Sequence, residues 1–198
     1  MISILDYGVG NLRSVQKAFQ RFNMDAEITF DKTKIKNSSH ICLPGVGAFK
    51  KGMEGLVNAD LIDVIENEIK KGKPFLGICL GMQLLFEDSE EDGYSKGLSI
   101  LKGSVKKFDN GLKVPHMGWN DINIVKPYPL FKEVNSDKMY FVHSYYVQTE
   151  QNNVAATCDY GVKFAAAISC DNIFATQFHP EKCGVEGLKI LKNFGGIK

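Results

Sequence analysis

The sequence predicts a single α/β domain over residues 1–198, built on a parallel, doubly wound sheet with a mixed or antiparallel extension, a mixed sheet flanked by helices. Three observations carry this. Short apolar runs alternate with helix-period segments through the first third. Gly-rich loops close those runs, as they do at the C-terminal ends of parallel strands. From about residue 98 the texture changes to many short strands divided by turn residues. No linker, low-complexity stretch or internal repeat divides the chain.

Ile2-Ser3-Ile4-Leu5 reads as a buried strand ending in the loop Asp6 to Asn11. Leu12, Val15, Phe19 and Phe22 then recur at spacings of three, four and three, one apolar helix face. Ala26 to Phe30 is a candidate second strand. His40 to Leu43 is a third, closed by Pro44-Gly45-Val46-Gly47-Ala48-Phe49. A helix with Leu61, Ile62, Ile65 and Ile69 on one face follows, stopped by Gly72 and Pro74. Pro74 to Ile78 is a fourth strand, with a helix-like pattern directly after Cys79. The later strands are expected at Leu98 to Leu101, Ser104 to Phe108, Asp121 to Val125, Met139 to Val147, Val154 to Thr157 and Phe164 to Ser169. Asp109-Asn110-Gly111 and Asp159-Tyr160-Gly161 mark turns between them. Phe174 to Glu181 runs along a last strand, and Val185, Leu188, Leu191 and Phe194 give a closing helix.

Composition excludes several function classes. A net charge of +1 offers no electrostatic case for nucleic acid or acidic membranes. No apolar run has the length of a membrane span, and the start lacks a basic n-region and cleavage site. Five cysteines, odd in number and without a CxxC pair, argue against a disulfide framework or zinc site. Four histidines without paired spacing give no metal site. A cytoplasmic chain with reduced thiols is expected. Gly8-x-Gly10 and Gly45-x-Gly47 follow strands as a dinucleotide fingerprint would, but the third glycine is replaced by Arg13 and Lys50, so no nicotinamide or flavin site is expected.

Two stretches carry chemistry. Gly77-Ile78-Cys79-Leu80-Gly81 is a cysteine form of the nucleophile elbow, a tight strand-to-helix bend that lifts a reactive side chain off the sheet. Composition alone would yield roughly 0.05 such matches in a chain like this. Gly77 and Gly81 remove the side chains that would collide there. Cys79 would sit at a helix N-terminus favouring thiolate, with the Leu80 N–H facing a developing oxyanion. Gly45-Val46-Gly47 is a flexible segment able to turn a second N–H toward the same place. The bland alternative for Cys79 is a buried structural cysteine. His179-Pro180-Glu181 supplies what a thiol nucleophile needs, a base and a third group to orient it, with Pro180 stiffening the backbone between them. Its bland alternative is a surface turn with a solvated Glu. Of the other histidines, His40 reads as capping or packing, His116 as part of a binding loop, and His143 as structural or substrate-adjacent.

The elbow together with His179-Pro180-Glu181, in that order, resembles the class I, or triad, glutamine amidotransferases, a flavodoxin-like fold. Within that family the resemblance is closest to the glutaminase subunits of imidazole glycerol phosphate synthase. The residues that point there are Asp6 to Leu12, Leu43 to Phe49, Pro115-His116-Met117-Gly118-Trp119-Asn120, Tyr140 to Tyr145 and Gln177 to Lys182. They span essentially the whole chain, and the stretch around Trp119 is the most specific.

The resemblance implies that Cys79 attacks the carboxamide of glutamine, His179 moves the proton and Glu181 orients the ring. Leu80 and, after a loop rearrangement, Val46 and Gly47 would hold the oxyanion. Gln83, Glu91, Ser144 and Tyr145 would hold glutamine, although Glu91 lies in an acidic run that also reads as a solvated loop. No cofactor is implied. Ammonia would pass to a (β/α)₈-barrel cyclase acting on a phosphorylated ribulosyl aminoimidazole-carboxamide nucleotide, docked at Asn11, Trp119, Tyr140 and Lys182, with weak activity alone. One departure stands out: the family usually has Ser where this chain has Cys183, which places a second thiol near the site as an oxidation liability. Other readings share these residues: the same glutaminase serving another synthase such as one of surface-sugar amidation, a stand-alone cysteine hydrolase, or a non-catalytic binding subunit on the same fold.

Overall fold

The computed structural model describes residues 1–109, 111–126 and 128–198; Asn110, at the centre of one expected turn, lies outside them. The elements in chain order are β1 (Ile2–Leu5), α1 (Leu12–Gln20), β2 (Ala26–Thr29), α2 (Lys32–Asn37), β3 (His40–Gly45), α3 (Phe49–Asn58), α4 (Ile62–Lys70), β4 (Phe75–Cys79), α5 (Leu80–Gln83), β5 (Asp88–Ser89), β6 (Ser95–Lys96), β7 (Gly103–Lys107), β8 (His116–Ile124), β9 (Lys138–His143), β10 (Tyr145–Thr149), β11 (Val154–Asp159), β12 (Lys163–Cys170), β13 (Ile173–Thr176) and α6 (Gly184–Gly195). Nine strands form one sheet in the order β2-β1-β3-β4-β13-β12-β11-β8-β9. The first five pair in parallel and the remaining pairings are antiparallel, as the change in sequence texture predicts.

Alternate residues of the buried strands point to opposite faces. Ile4, Cys42, Leu76 and Ile78 join one apolar cluster with Val15 and Phe19 of α1 and Ile190 and Phe194 of α6. Leu5, Ile41, Leu43 and Phe75 join a second with Leu56 of α3 and Ile65 of α4. The sheet is therefore covered on both faces, which is why its strands read as continuous apolar runs.

Several expectations are corrected. β3 extends through Pro44-Gly45 rather than ending at Leu43, and Tyr7 Oη donates to the Pro44 carbonyl at 2.9 Å. Helices α2 and α3 were not legible. Gly52 and Gly55 weaken the signal of α3, yet they let it pack closely: a Cβ on Gly55 would lie 2.3 Å from the Tyr7 carbonyl oxygen. Phe22 lies beyond α1, and Val185 of α6 is exposed while Gly187 faces the core. Leu98 to Leu101 is not a strand; Leu98 N–H donates to the Leu84 carbonyl at 2.9 Å and Ile100 N–H to Leu85 at 2.9 Å. These bonds satisfy carbonyls left open where α5 stops. His116 opens strand β8 rather than occupying a loop.

The expected strand from Met139 to Val147 is two strands broken at Ser144. There the chain leaves the large sheet and enters a second, four-stranded one in the order β10-β7-β5-β6. Val105 and Val147 of that small sheet pack in the cluster that contains Leu84, Leu85 and Phe86. It therefore covers the region just beyond the elbow. That break and that cover make the cleft described next.

Candidate active site

β4 runs between β3 and β13, and its last residue, Cys79, pairs in register with Gly45. The turn into α5 is tight. A Cβ on Gly81 would lie 1.8 Å from the Leu43 carbonyl oxygen, and one on Gly77 would lie 2.7 Å from the Gly81 oxygen. Both glycines are thus required by close backbone approach, as the sequence predicts. Cys79 itself has φ +55° and ψ −108°, a conformation that costs a non-glycine residue about 1–3 kcal/mol. The fold holds that strain, and the side chain is 6 % exposed. One expectation changes: α5 is a single turn of four residues. It is too short to act on the sulfur as a helix macrodipole, so the charges around Cys79 come from side chains.

β13 ends at Thr176, whose hydroxyl donates to the Phe178 carbonyl at 3.0 Å and shapes the turn that brings His179 back. His179 and Glu181 meet at 2.9 Å between Nδ1 and Oε1, each side chain 3 % exposed. Because a carboxylate only accepts, Nδ1 carries the proton and Nε2 is the working nitrogen. Nε2 is buried without a hydrogen-bond partner, as is Glu181 Oε2. Burial by itself lowers the His179 pKa, but the nearby Cys79 and the hydrogen-bonded carboxylate of Glu181 outweigh it and raise it to about 9. The imidazole is therefore charged at neutral pH and has a proton to give. The surface-turn alternative for His-Pro-Glu does not hold.

Around Cys79 lies a cleft of about 380 Å³. Val46, Gly47, Leu80, Gln83, Glu91, Ser144 and Tyr145 all line it, so every expected oxyanion and glutamine-binding residue meets at one place. Gly47 has φ +105° and Val46 is exposed, consistent with a segment able to reorient. Glu91 is no solvated loop residue: its Oε2 accepts from the Phe49 N–H at 2.6 Å, at the start of α3. Burial, aided by the charge of Asp92 and opposed by the Phe49 N–H, raises its pKa.

One residue was given no role by sequence reasoning. Gln177, fully buried, donates from Nε2 to Cys79 Sγ at 3.7 Å and accepts from Gln83 Nε2 at 3.0 Å. Gln83 Nε2 also donates to the Tyr145 carbonyl at 3.1 Å. The signal for Gln177 was its place two residues before His179, at the start of a stretch that carries the family resemblance. His143, read from the sequence as structural or substrate-adjacent, lines the cleft from β9.

Cys183 is buried and built into the same region. His179 N–H donates to the Tyr140 carbonyl at 3.1 Å, Tyr140 N–H donates to Cys183 Sγ at 3.1 Å, and the thiol donates to the His179 carbonyl at 3.0 Å. Burial pushes the thiol up to about 12, against the Tyr140 N–H and with the charge of Glu181. A thiol so protonated is a donor with little thiolate to oxidise. On the outer side, Trp119 is 57 % exposed and stands edge-on to Tyr140 at 6.0 Å, with Lys182 Nζ 5.8 Å from the Tyr140 ring. Asn11 is exposed before α1, which packs against α6 and the turn after His179.

This arrangement holds the parts that acyl transfer needs: a strained thiol and backbone amides at one cleft, with a charged imidazole oriented by a carboxylate beside them. The family model for class-I glutamine amidotransferases matches residues 3–196. The imidazole glycerol phosphate synthase subunit HisH of Caldanaerobacter subterraneus subsp. tengcongensis is 53 % identical over 98 % of this chain and 97 % of its own length. HisH of Methanocaldococcus jannaschii is 49 % identical over 98 % of each. Among solved structures, a glutamine amidotransferase superposes with a TM-score of 0.77 at 17 % identity, covering 99 % of each chain. PurLQS of Thermotoga maritima does so at 0.75 and 19 %, covering 98 % of this chain and 96 % of that one, and these two show the fold alone. The chain belongs to the class-I glutamine amidotransferases, and within them to the HisH subunits of imidazole glycerol phosphate synthase.

Proposed function

We propose that this chain, acting as one glutamine amidotransferase domain over residues 1–198, is the glutaminase subunit of an imidazole glycerol phosphate synthase. It hydrolyses glutamine and delivers ammonia to a cyclase subunit for histidine biosynthesis. The observation that carries the reading is the meeting of Cys79, charged His179 and buried Glu181 at a cleft lined by Gln83, Glu91, Ser144 and Tyr145.

Cys79 attacks the δ-carbon of glutamine as the thiolate, its proton already resting on His179, and the carbonyl π electrons move to oxygen. The Leu80 N–H, and an N–H from the Val46–Gly47 segment once it reorients, stabilise that oxyanion. As the tetrahedral intermediate collapses, His179 Nε2 gives its proton to the departing nitrogen and ammonia leaves. Neutral His179 then takes a proton from water, whose oxygen attacks the thioester carbon. The C–S bond breaks, and glutamate and free Cys79 are regenerated. Glu181 keeps the ring in register throughout, and Glu91 suits the α-ammonium of glutamine.

No acceptor to be aminated is implied for this chain, so ammonia passes to a partner. The partner is a (β/α)₈-barrel cyclase docked where Trp119, Tyr140 and Lys182 cluster on the outer surface, with Asn11 at the rim. A half-exposed Trp beside a Tyr and a Lys makes a good anchor. Because Tyr140 is bonded through its backbone to His179 and Cys183, docking there bears directly on the triad. The setting expected for such a pair is the cytoplasm.

The test is glutamate release from glutamine by this chain mixed with the cyclase, with and without the cyclase's nucleotide substrate, and with Cys79→Ala as blank. Strong stimulation by the loaded cyclase, absent in the blank, is expected. Release that stays low whatever the cyclase does, while Cys79 still reacts with a glutamine-analogue electrophile, assigns the glutaminase to a different synthase.

A further inference from the structure

His116 and His143 face each other inside the protein, His116 Nδ1 3.0 Å from His143 Nε2. The rest of their hydrogen bonds leave one protonation pattern. His143 Nδ1 lies 2.8 Å from the Tyr145 carbonyl, which only accepts, so Nδ1 carries a proton. A neutral His143 then offers a bare Nε2, and His116 must donate to it from Nδ1. A neutral His116 in turn has a bare Nε2, 3.2 Å from Asn120 Nδ2. Asn120 cannot flip without loss, because its Nδ2 also donates to the Asp159 carbonyl at 2.9 Å and its Oδ1 accepts from Asp121 N–H at 2.8 Å.

Packing closes off other ring orientations. His116 is sandwiched between Tyr160 at 4.1 Å and Phe141 at 5.0 Å. His143 sits edge-on to Phe164 at 5.1 Å and Phe108 at 5.3 Å. Burial keeps both rings neutral, lowering His116 to about 4 and His143 to about 3; for His143 the neighbouring histidines, His116 and the charged His179, add to the lowering while the Tyr145 carbonyl opposes it.

The chain has two ends of consequence. Asn120 follows Trp119 on β8: its side chain lies on the inner face with His116, while its backbone is continuous with Trp119 on the exposed aromatic surface. The Tyr145 carbonyl at the other end also accepts from Gln83, which bonds Gln177, which bonds Cys79 Sγ. We propose that His116 and His143 are positioning residues, a spacer of fixed tautomer that carries the placement of β8 at the docking surface to Gln83 and the cleft. Rigid aromatic walls and one-way hydrogen bonds make it a strut rather than a proton relay. The transmission rests on the partner reading above; the tautomers do not.

The test has two arms on the full chain. Long-range ¹⁵N–¹H spectra of histidine-labelled protein read the tautomers directly. Both rings are expected neutral and protonated on Nδ1 from about pH 8 to about pH 5, the less common tautomer of free histidine. A proton on Nε2 of either ring overturns the proposal. In the second arm, Asn120→Asp replaces the donor to His116 by an acceptor, so His116 gains an Nε2 proton in the spectrum. Stimulation of glutamine hydrolysis by saturating loaded cyclase should then fall roughly tenfold while hydrolysis by the free chain changes less than about twofold. Saturation separates this from weaker docking. Should Asn120→Asp fail to fold, His116→Gln, which can keep one bond of the two, should show the same loss. Full stimulation with the His116 proton moved overturns the transmission. Absence of stimulation in the unaltered protein overturns the partner reading and the transmission with it, and leaves the spectra to decide the tautomers.

Discussion

Replacing Glu181 with Gln isolates the carboxylate's charge, because the amide oxygen can still accept from His179 Nδ1. In the unaltered chain His179 rises from 6.5 to about 9 against the effect of its own burial. At ~1.36 kcal/mol per pKa unit that net rise is about 3 kcal/mol in favour of the imidazolium, shared between Cys79 and Glu181. If Glu181 supplies half, its charge is worth about 1–2 kcal/mol, on the order of tenfold in the protonation equilibrium. The sign follows from the mechanism. A raised pKa keeps the acid form up to about pH 9, so kcat/KM of the unaltered enzyme should fall above that pH. Glu181→Gln should bring this descending limb down by roughly one to two units, so that activity at pH 8 falls to about a tenth to a half of its plateau and is largely recovered near pH 6. The assay is glutamate release across the pH range with saturating loaded cyclase. A limb that stays near pH 9 refutes the electrostatic role of Glu181, and a uniform loss at every pH shows a merely structural one.

Three further outcomes are expected. Gly81→Ala places a Cβ 1.8 Å from the Leu43 oxygen and should cost several kcal/mol in thermal unfolding, whereas Gly93→Ala, with φ +93° and open space, should cost about 1–2 kcal/mol. His116 and His143 have lowered folded pKa values, so their contribution to stability is complete above 6.5 and is lost as pH falls toward about 4 and about 3. Urea unfolding should therefore steepen in its pH dependence below pH 6.5, by up to ~2.7 kcal/mol per pH unit if unfolding takes up both protons, and His143→Phe should flatten it. Cys183→Ser keeps both backbone bonds at distances that suit oxygen and should preserve activity and stability, while Cys183→Ala should lose about 1–3 kcal/mol in unfolding and lower the stimulated rate.

What the sequence determined by itself was local. Apolar runs of four or five residues, helical spacing in α1 and α4, and glycines at the elbow are read from neighbours in the chain, because the pleat, the helix turn and close backbone approach act over a few residues. The same holds for the pairing of residue types in Gly77 to Gly81 and in His179-Pro180-Glu181. Where local rules and tertiary packing disagree, the sequence misled: α3 contains two glycines where it packs against the Tyr7 carbonyl and α5, and the helix after Cys79 stops after one turn, where the Leu98 to Leu101 segment bonds the Leu84 and Leu85 carbonyls just beyond it.

Only the tertiary structure decided how residues a hundred positions apart meet. It decided that β13 inserts beside β4, which brings His179 to Cys79. The break at Ser144 sends the chain into the small sheet and builds the cleft wall from Ser144 and Tyr145. It also decided protonation. The charge on His179, the neutrality of His116 and His143 and the proton on Cys183 all follow from burial and from which acceptor or charge each group faces. Spacing along the chain carries no information about either, since desolvation and hydrogen-bond geometry exist only once the sheet has closed.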